Sequence, residues 1–213
     1  MKRILVITVL AVLLLSTVGA TVAVAQQKGK SSVYQFDIAA TDSHGSGKLM
    51  IDLKQRTFHF TGKGFVPGRT YWLWCEASGP RTLGSVVANP AGNVEITGML
   101  PDNVNWATAT GAAVFSAGLN LMITQNPKYA NMWQVGVTVT WSGAVGAVSG
   151  KYTIEHNGVT IVDVNKPTAT GSQTQPYPLG VSNFEKGSGV YIFTITLTDS
   201  AQHTATDSDF PNL

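Results

Sequence analysis

The chain of 213 residues carries 14 Lys and Arg against 12 Asp and Glu, with 44% hydrophobic residues, 9% aromatics and a single cysteine. Lys2 and Arg3 supply the whole excess of positive charge, so the remainder balances 12 cations with 12 anions and holds no basic cluster that could neutralise a phosphate backbone. Nucleic acid is thereby excluded as a partner, and Cys75, having no second cysteine to join, excludes an intramolecular disulfide.

The opening MKRILVITVLAVLLLSTVGATVAVAQQ reads as a signal peptide over 1–25: two cations, an uncharged apolar run from Ile4, then Ala23 and Ala25 at the spacing of a signal-peptidase site. Ile4 to Ala25 is also about long enough to span a bilayer, so membrane association is expected only if this segment stays uncleaved. In either case the rest is exported to the extracellular space or the cell envelope. Without disulfides, its stability must come from apolar burial, which about 190 residues can supply.

After a flexible lead over 26–32, short alternating runs separated by Gly, Pro, Asn and Asp predict an all-β chain of two antiparallel β-sandwich domains, 33–124 and 133–213. Leu49, Ile51 and Leu53 alternate with polar neighbours, as do Phe58 and Phe60, which predicts paired strands. VPGR at 66–69 has Pro and Gly placed for a type II turn, and NPAGN at 89–93 makes a second turn. Between them TYWLWCE, 70–76, sets Tyr71, Leu73 and Cys75 on one strand face and Trp72, Trp74 and Glu76 on the other.

The stretch 106–123 is alanine-rich, but its β-branched, aromatic and Gly content predicts mostly strand. TQNPKYANM, 124–132, is the expected interdomain linker, being polar and Pro-containing. Beyond it Trp133 to Trp141 alternates, and Asn157-Gly158 predicts a two-residue hairpin pairing His156 with Val159 and Ile154 with Ile161. Tyr152, Ile154, Val159 and Ile161 would then share one face. NKPTATGSQTQPYPLG, 165–180, is expected to be a long mobile loop. The final GVYIFTITLTDSAQHTATD aligns Tyr191, Phe193, Ile195 and Leu197 on one side and Thr194, Thr196 and Thr198 on the other, followed by a turn and a return strand.

That last stretch resembles the closing hairpin of immunoglobulin-like modules in prokaryotic secreted and surface proteins, over about the final 80 residues, in its Gly-x-Tyr, alternating apolars, Thr-Asp and turn. It lacks the Trp-Asp-Phe-Gly-Asp-Gly run of the polycystic-kidney-disease subtype and the Asp-x-Asn-Asp calcium signature of cadherins. The resemblance implies adhesion, spacing or ligand presentation and brings no catalytic residues with it.

Few residues point to chemistry. Cys75 would need converging His and Asp or Asn partners to act as a nucleophile, and its register with Tyr71 and Leu73 places it in a core instead. No nucleophile elbow, zinc helix, P-loop or Cys-x-x-Cys occurs, so no enzyme is expected. His44, His59, His156 and His203 show no metal-ligand spacing and read as solvated surface residues. Asp199, Asp207 and Asp209 are the candidate oxygen ligands for a structural calcium, against the plainer reading as turn punctuation.

Trp72 and Trp74 are the candidate ligand-binding pair. With Tyr71, Leu73 and Cys75 facing the core, both indoles point outward and need a cover: connections of their own domain, the second domain, or a ligand such as a sugar ring. The expected function is a secreted or cell-surface structural or adhesion protein, non-enzymatic and open to self-association through sheet edges, with a protein or a surface glycan as partner. The alternative is a carbohydrate-binding module built on Trp72 and Trp74.

Overall fold

The computed structural model describes residues 32–40 and 45–213. The expected signal peptide, nearly all of the lead and His44 lie outside the described residues. The chain is all-β, built from antiparallel sheets that pack as sandwiches, with one short 3-10 turn at Trp106–Thr108.

The first sheet joins β1 (Val33–Ala39), β2 (Ser46–Asp52), β3 (Thr57–Lys63) and β6 (Val94–Met99) in the order β1-β2-β3-β6. Its period-two pattern is satisfied strand by strand. Phe36 faces Leu49, Leu49 faces Phe60, and Ile51 faces Phe58, all buried on one face. The turns work as their sequences suggest: Gly68 takes φ +76, and the Asn89 side chain accepts from the backbone N–H groups of Ala91 and Asn93 at 3.0 Å each.

A five-stranded sheet follows, built from β4 (Thr70–Glu76), β5 (Pro80–Val87), β7 (Gly111–Gln125), β8 (Met132–Ser142) and β11 (Gln173–Glu185) in the order β11-β8-β7-β4-β5. The third sheet joins β9 (Ala147–His156), β10 (Val159–Thr170), β12 (Tyr191–Asp199) and β13 (Thr204–Asp209) in the order β10-β9-β12-β13.

The 15-residue strand β7 decides the architecture. Its first part pairs with β4, from Gly111 opposite Glu76 to Phe115 opposite Trp72, and from Ser116 onward it pairs with β8. Ala112 and Val114 join a core with the first sheet, whereas Phe115 and Ala117 join a second core with the third sheet. Successive side chains of a strand point to opposite faces, so one continuous sheet packs a sandwich on one face at one end and another on the opposite face at the other end. The strand β4 sits where the two overlap. Tyr71, Leu73 and Cys75 are fully buried in the first core, and Trp72 packs against the second.

Three local expectations are corrected. Residues 124–132 are the end of β7, a tight turn and the start of β8: Asn126 N donates to Met132 O at 3.0 Å, and the Asn126 side chain accepts from Lys128 and Tyr129 N–H at 2.8 and 3.0 Å. A turn and a linker share the same polar, Pro-containing composition, and the connection between the two cores runs instead through β7. Residues 165–180, expected as a mobile loop, are mostly strand. Both β10 and β11 lie at sheet edges, where a proline's missing N–H removes no ladder bond, and Gly171 at φ +74 turns the chain from one sheet to the other.

The Asn157-Gly158 hairpin forms with His156 opposite Val159, but a bulge follows Thr160 and brings Val162 rather than Ile161 opposite Ile154. Tyr152 and Ile154 are buried as expected, whereas Val159 is 62% and Ile161 50% exposed. A bulge residue shifts the alternation by one, which no composition signal reveals.

Candidate functional site at the junction of the two cores

The polar side chains of most consequence gather where β4, β5 and β7 meet β13 and the β12–β13 turn. Arg69, just after the Gly68 turn, donates from Nη1 to Ala117 O at 2.8 Å and pairs through Nη2 with Asp207 Oδ1 of β13. Asp207 Oδ2 in turn accepts from Leu119 N at 2.5 Å. The two charged side chains are only 12% and 13% exposed, so each depends on the other for compensation of its lost hydration.

Beside this pair lies a second polar chain. Asp199 is 2% exposed and ends β12. Its Oδ1 accepts from the backbone N–H of Ala201 and of His203, both at 2.9 Å, and its Oδ2 accepts from Val145 N at 2.9 Å and pairs with His203 Nδ1 at 3.0 Å. A carboxylate only accepts, so in the neutral ring the proton sits on Nδ1 and Nε2 is left as acceptor. That acceptor meets the Thr82 hydroxyl of β5 at 2.5 Å. The imidazole, itself 2% exposed, is flanked by the Trp72 indole, with ring centroids 5.2 Å apart and planes 23° from parallel.

Trp74 is held in a parallel way. Its Nε1 donates to Gly143 O at 2.6 Å. Gly143 has φ +66, and a Cβ there would collide with the Val114 carbonyl oxygen, so only glycine lets the β8–β9 connection approach β7 this closely.

Trp72 and Trp74 are thus half-buried and form no open platform. Of the three covers expected for them, the second sandwich supplies what is seen: His203 against Trp72 and Gly143 against Trp74. A cleft of about 580 Å³ remains between Val66–Thr70 and β13, lined by Trp72, Thr204, Thr206 and the exposed Phe210.

The candidate calcium ligands do not converge. Asp199 is used on His203 and backbone N–H groups, Asp207 is paired with Arg69, and exposed Asp209 caps Phe210 N at 2.8 Å. Among the described residues no three His, Cys, Asp or Glu side chains gather as a metal site. Cys75 is buried, and desolvation, helped by the charge of Glu76, pushes its thiol up to about 12 from 9.0.

Of the histidines expected at the surface, His59 bonds Glu95 at 3.1 Å on an exposed face, and His156 stacks on Tyr191 at 4.1 Å. His203 is the correction. Its four-residue separation from Asp199 across a turn was the available sign, since an aspartate opening a turn can cap the backbone and meet a side chain at its far end. Thr82 and Arg69 carried no sign, because their partners lie 121 and 138 residues away.

No family model and no curated protein matches the sequence. Among solved structures, a β-glucuronidase from Parabacteroides merdae matches 73% of this chain at TM-score 0.38 and 8% identity, and the match covers 28% of that enzyme. A Bacteroides uniformis β-glucuronidase matches 74% of this chain at TM-score 0.32 and 7% identity, over 26% of its own length. The tetra-tandem repeat from the extending region of a large adhesion protein matches 82% at TM-score 0.28 and 10% identity, over 57% of that chain. The chain therefore spans well under two thirds of each of these proteins.

Proposed function

We propose that the chain is an exported structural or adhesion protein of immunoglobulin-like sandwiches, released or held at the cell envelope, that acts as a stiff spacer and contact module rather than as an enzyme. The continuous strand β7 carries this reading. Two sandwiches hung on one sheet and tied by the buried Arg69–Asp207 pair cannot hinge as beads on a flexible linker do. Contacts would be made through sheet edges, where a partner strand can add to the ladder. The edge strand β10 offers Val159, Ile161 and Val164, all exposed, for a protein partner or a second copy. The carbohydrate reading draws less support, because His203 occupies a face of Trp72 and Trp74 has spent its N–H on Gly143.

The test is an adhesion assay with beads coated in the mature protein against protein-coated and glycan-coated surfaces, alongside Ile161→Lys, Trp72→Ala and Trp74→Ala. Retention lost with Ile161→Lys supports contact through the β10 edge. Retention only on glycans and lost with the tryptophan variants favours the carbohydrate module, and retention on neither surface removes the adhesion reading.

A further inference from the structure

Thr82 is an exposed residue of the edge strand β5, yet its hydroxyl is bonded to a buried base that spacing and adhesion do not use. We propose that Thr82 is an acyl-accepting nucleophile, activated by His203 and able to take an acyl group from a carboxylic ester. The inference goes beyond the adhesion reading and does not depend on it.

An aliphatic hydroxyl is a weak nucleophile until a neighbouring base receives its proton during attack and a third group orients that base. All of these parts are in place. Thr82 Oγ1 lies 2.5 Å from His203 Nε2, and His203 Nδ1 lies 3.0 Å from Asp199 Oδ2. Asp199 is a positioning residue, itself fixed by the backbone N–H groups of Val145, Ala201 and His203. The Trp72 indole holds the imidazole from the side. Burial of the base and carboxylate keeps the ring oriented, while Thr82 itself is an exposed residue at a sheet edge, the side from which an acyl donor would approach.

The step balances without any redox partner. Thr82 Oγ1 bonds to the acyl carbon while its proton passes to Nε2, and the Asp199 carboxylate stabilises the imidazolium so formed. The tetrahedral adduct then collapses with cleavage of the bond between the acyl carbon and the donor's alkoxide oxygen. The proton on Nε2 goes to that alkoxide, leaving an ester on Thr82 and a free alcohol.

A hydrogen bond serving only to tie β5 to the β12–β13 turn would leave Thr82 no more reactive than other exposed threonines. The mature protein is therefore treated with p-nitrophenyl acetate and the acetylated residues are mapped by tandem mass spectrometry. Acetylation at Thr82 is expected to outpace that at other threonines, to persist in Thr82→Ser and to fall about 10²-fold or more in His203→Gln. Thr82→Val lies at an exposed position and should fold while losing the adduct, so the comparison stands even if His203→Gln fails to fold. Acetylation confined to lysines and the N-terminus, or a Thr82 rate equal to that of other threonines or unchanged in a folded His203→Gln, overturns the proposal. Neither result bears on bead retention, so this proposal and the adhesion reading fail separately.

Discussion

The indole of Trp72 and the imidazole of His203 stack 5.2 Å apart although one belongs to the strand shared by both cores and the other to the far sheet's hairpin. This contact is part of what makes the junction cohesive. Trp72→Ala removes it together with the packing of the indole on the second core. Truncating a buried tryptophan costs about 3–5 kcal/mol. Trp72 is half-buried and its Nε1 has no hydrogen-bond partner among the described residues, so about 2 kcal/mol is the expected loss. Urea unfolding should show a lower midpoint in one shared transition. An unchanged midpoint would mean that the stack contributes nothing.

The Arg69–Asp207 pair should be costlier to break than to replace. Asp207→Ala takes the counter-charge from a buried guanidinium and also the acceptor from Leu119 N, so a loss of about 3–5 kcal/mol is expected. The double variant Arg69→Met with Asp207→Leu removes both charges and should recover a large part of that loss. Equal losses in the single and double variants, measured by denaturant titration, would show that charge burial is not the governing cost.

Cys75 gives a pH prediction with a definite sign. Its thiol is raised to about 12 in the fold from its ordinary value of 9.0. The unfolded chain therefore ionises first. The contribution is intact below about pH 9 and is lost as the pH rises towards about 12. Native protein at neutral pH should resist iodoacetamide and react once unfolded, and Cys75→Ala should show a shallower alkaline loss of stability than wild type. Rapid native labelling would place the thiol outside the core.

The parts legible in the sequence were those governed by neighbours in the chain. Alternation along 49–51, 58–60 and 191–197 found strands whose buried faces are as read, although Leu53 falls past the end of β2 in a turn, and Pro67-Gly68 and Asn157-Gly158 found their turns. Facial assignment of Tyr71, Leu73 and Cys75 also followed from period two. What stayed hidden depends on long-range geometry. Nothing local says that β7 changes core between Val114 and Phe115 and partner between Phe115 and Ser116, so the outward face of Trp72 could not be known to meet a second core. The bulge after Thr160 and the edge positions of β10 and β11 are likewise properties of the assembled sheets.

Tyr152 extends the same reasoning to a single polar atom. It projects from β9 into the second core, 4% exposed, opposite Ile195 on β12, and its hydroxyl has no hydrogen-bond partner among the described residues. Burial also pushes its phenol above the usual tyrosine range. An unpaired buried hydroxyl costs about 1–3 kcal/mol, while the ring itself contributes apolar burial. Tyr152→Phe keeps the ring and removes the oxygen, so thermal or urea unfolding at neutral pH should show stability unchanged or higher by about 1 kcal/mol. A loss of that size would reveal a partner for the hydroxyl, because removing an unsatisfied oxygen from a dry core has no other route to destabilising the fold than the small void it leaves.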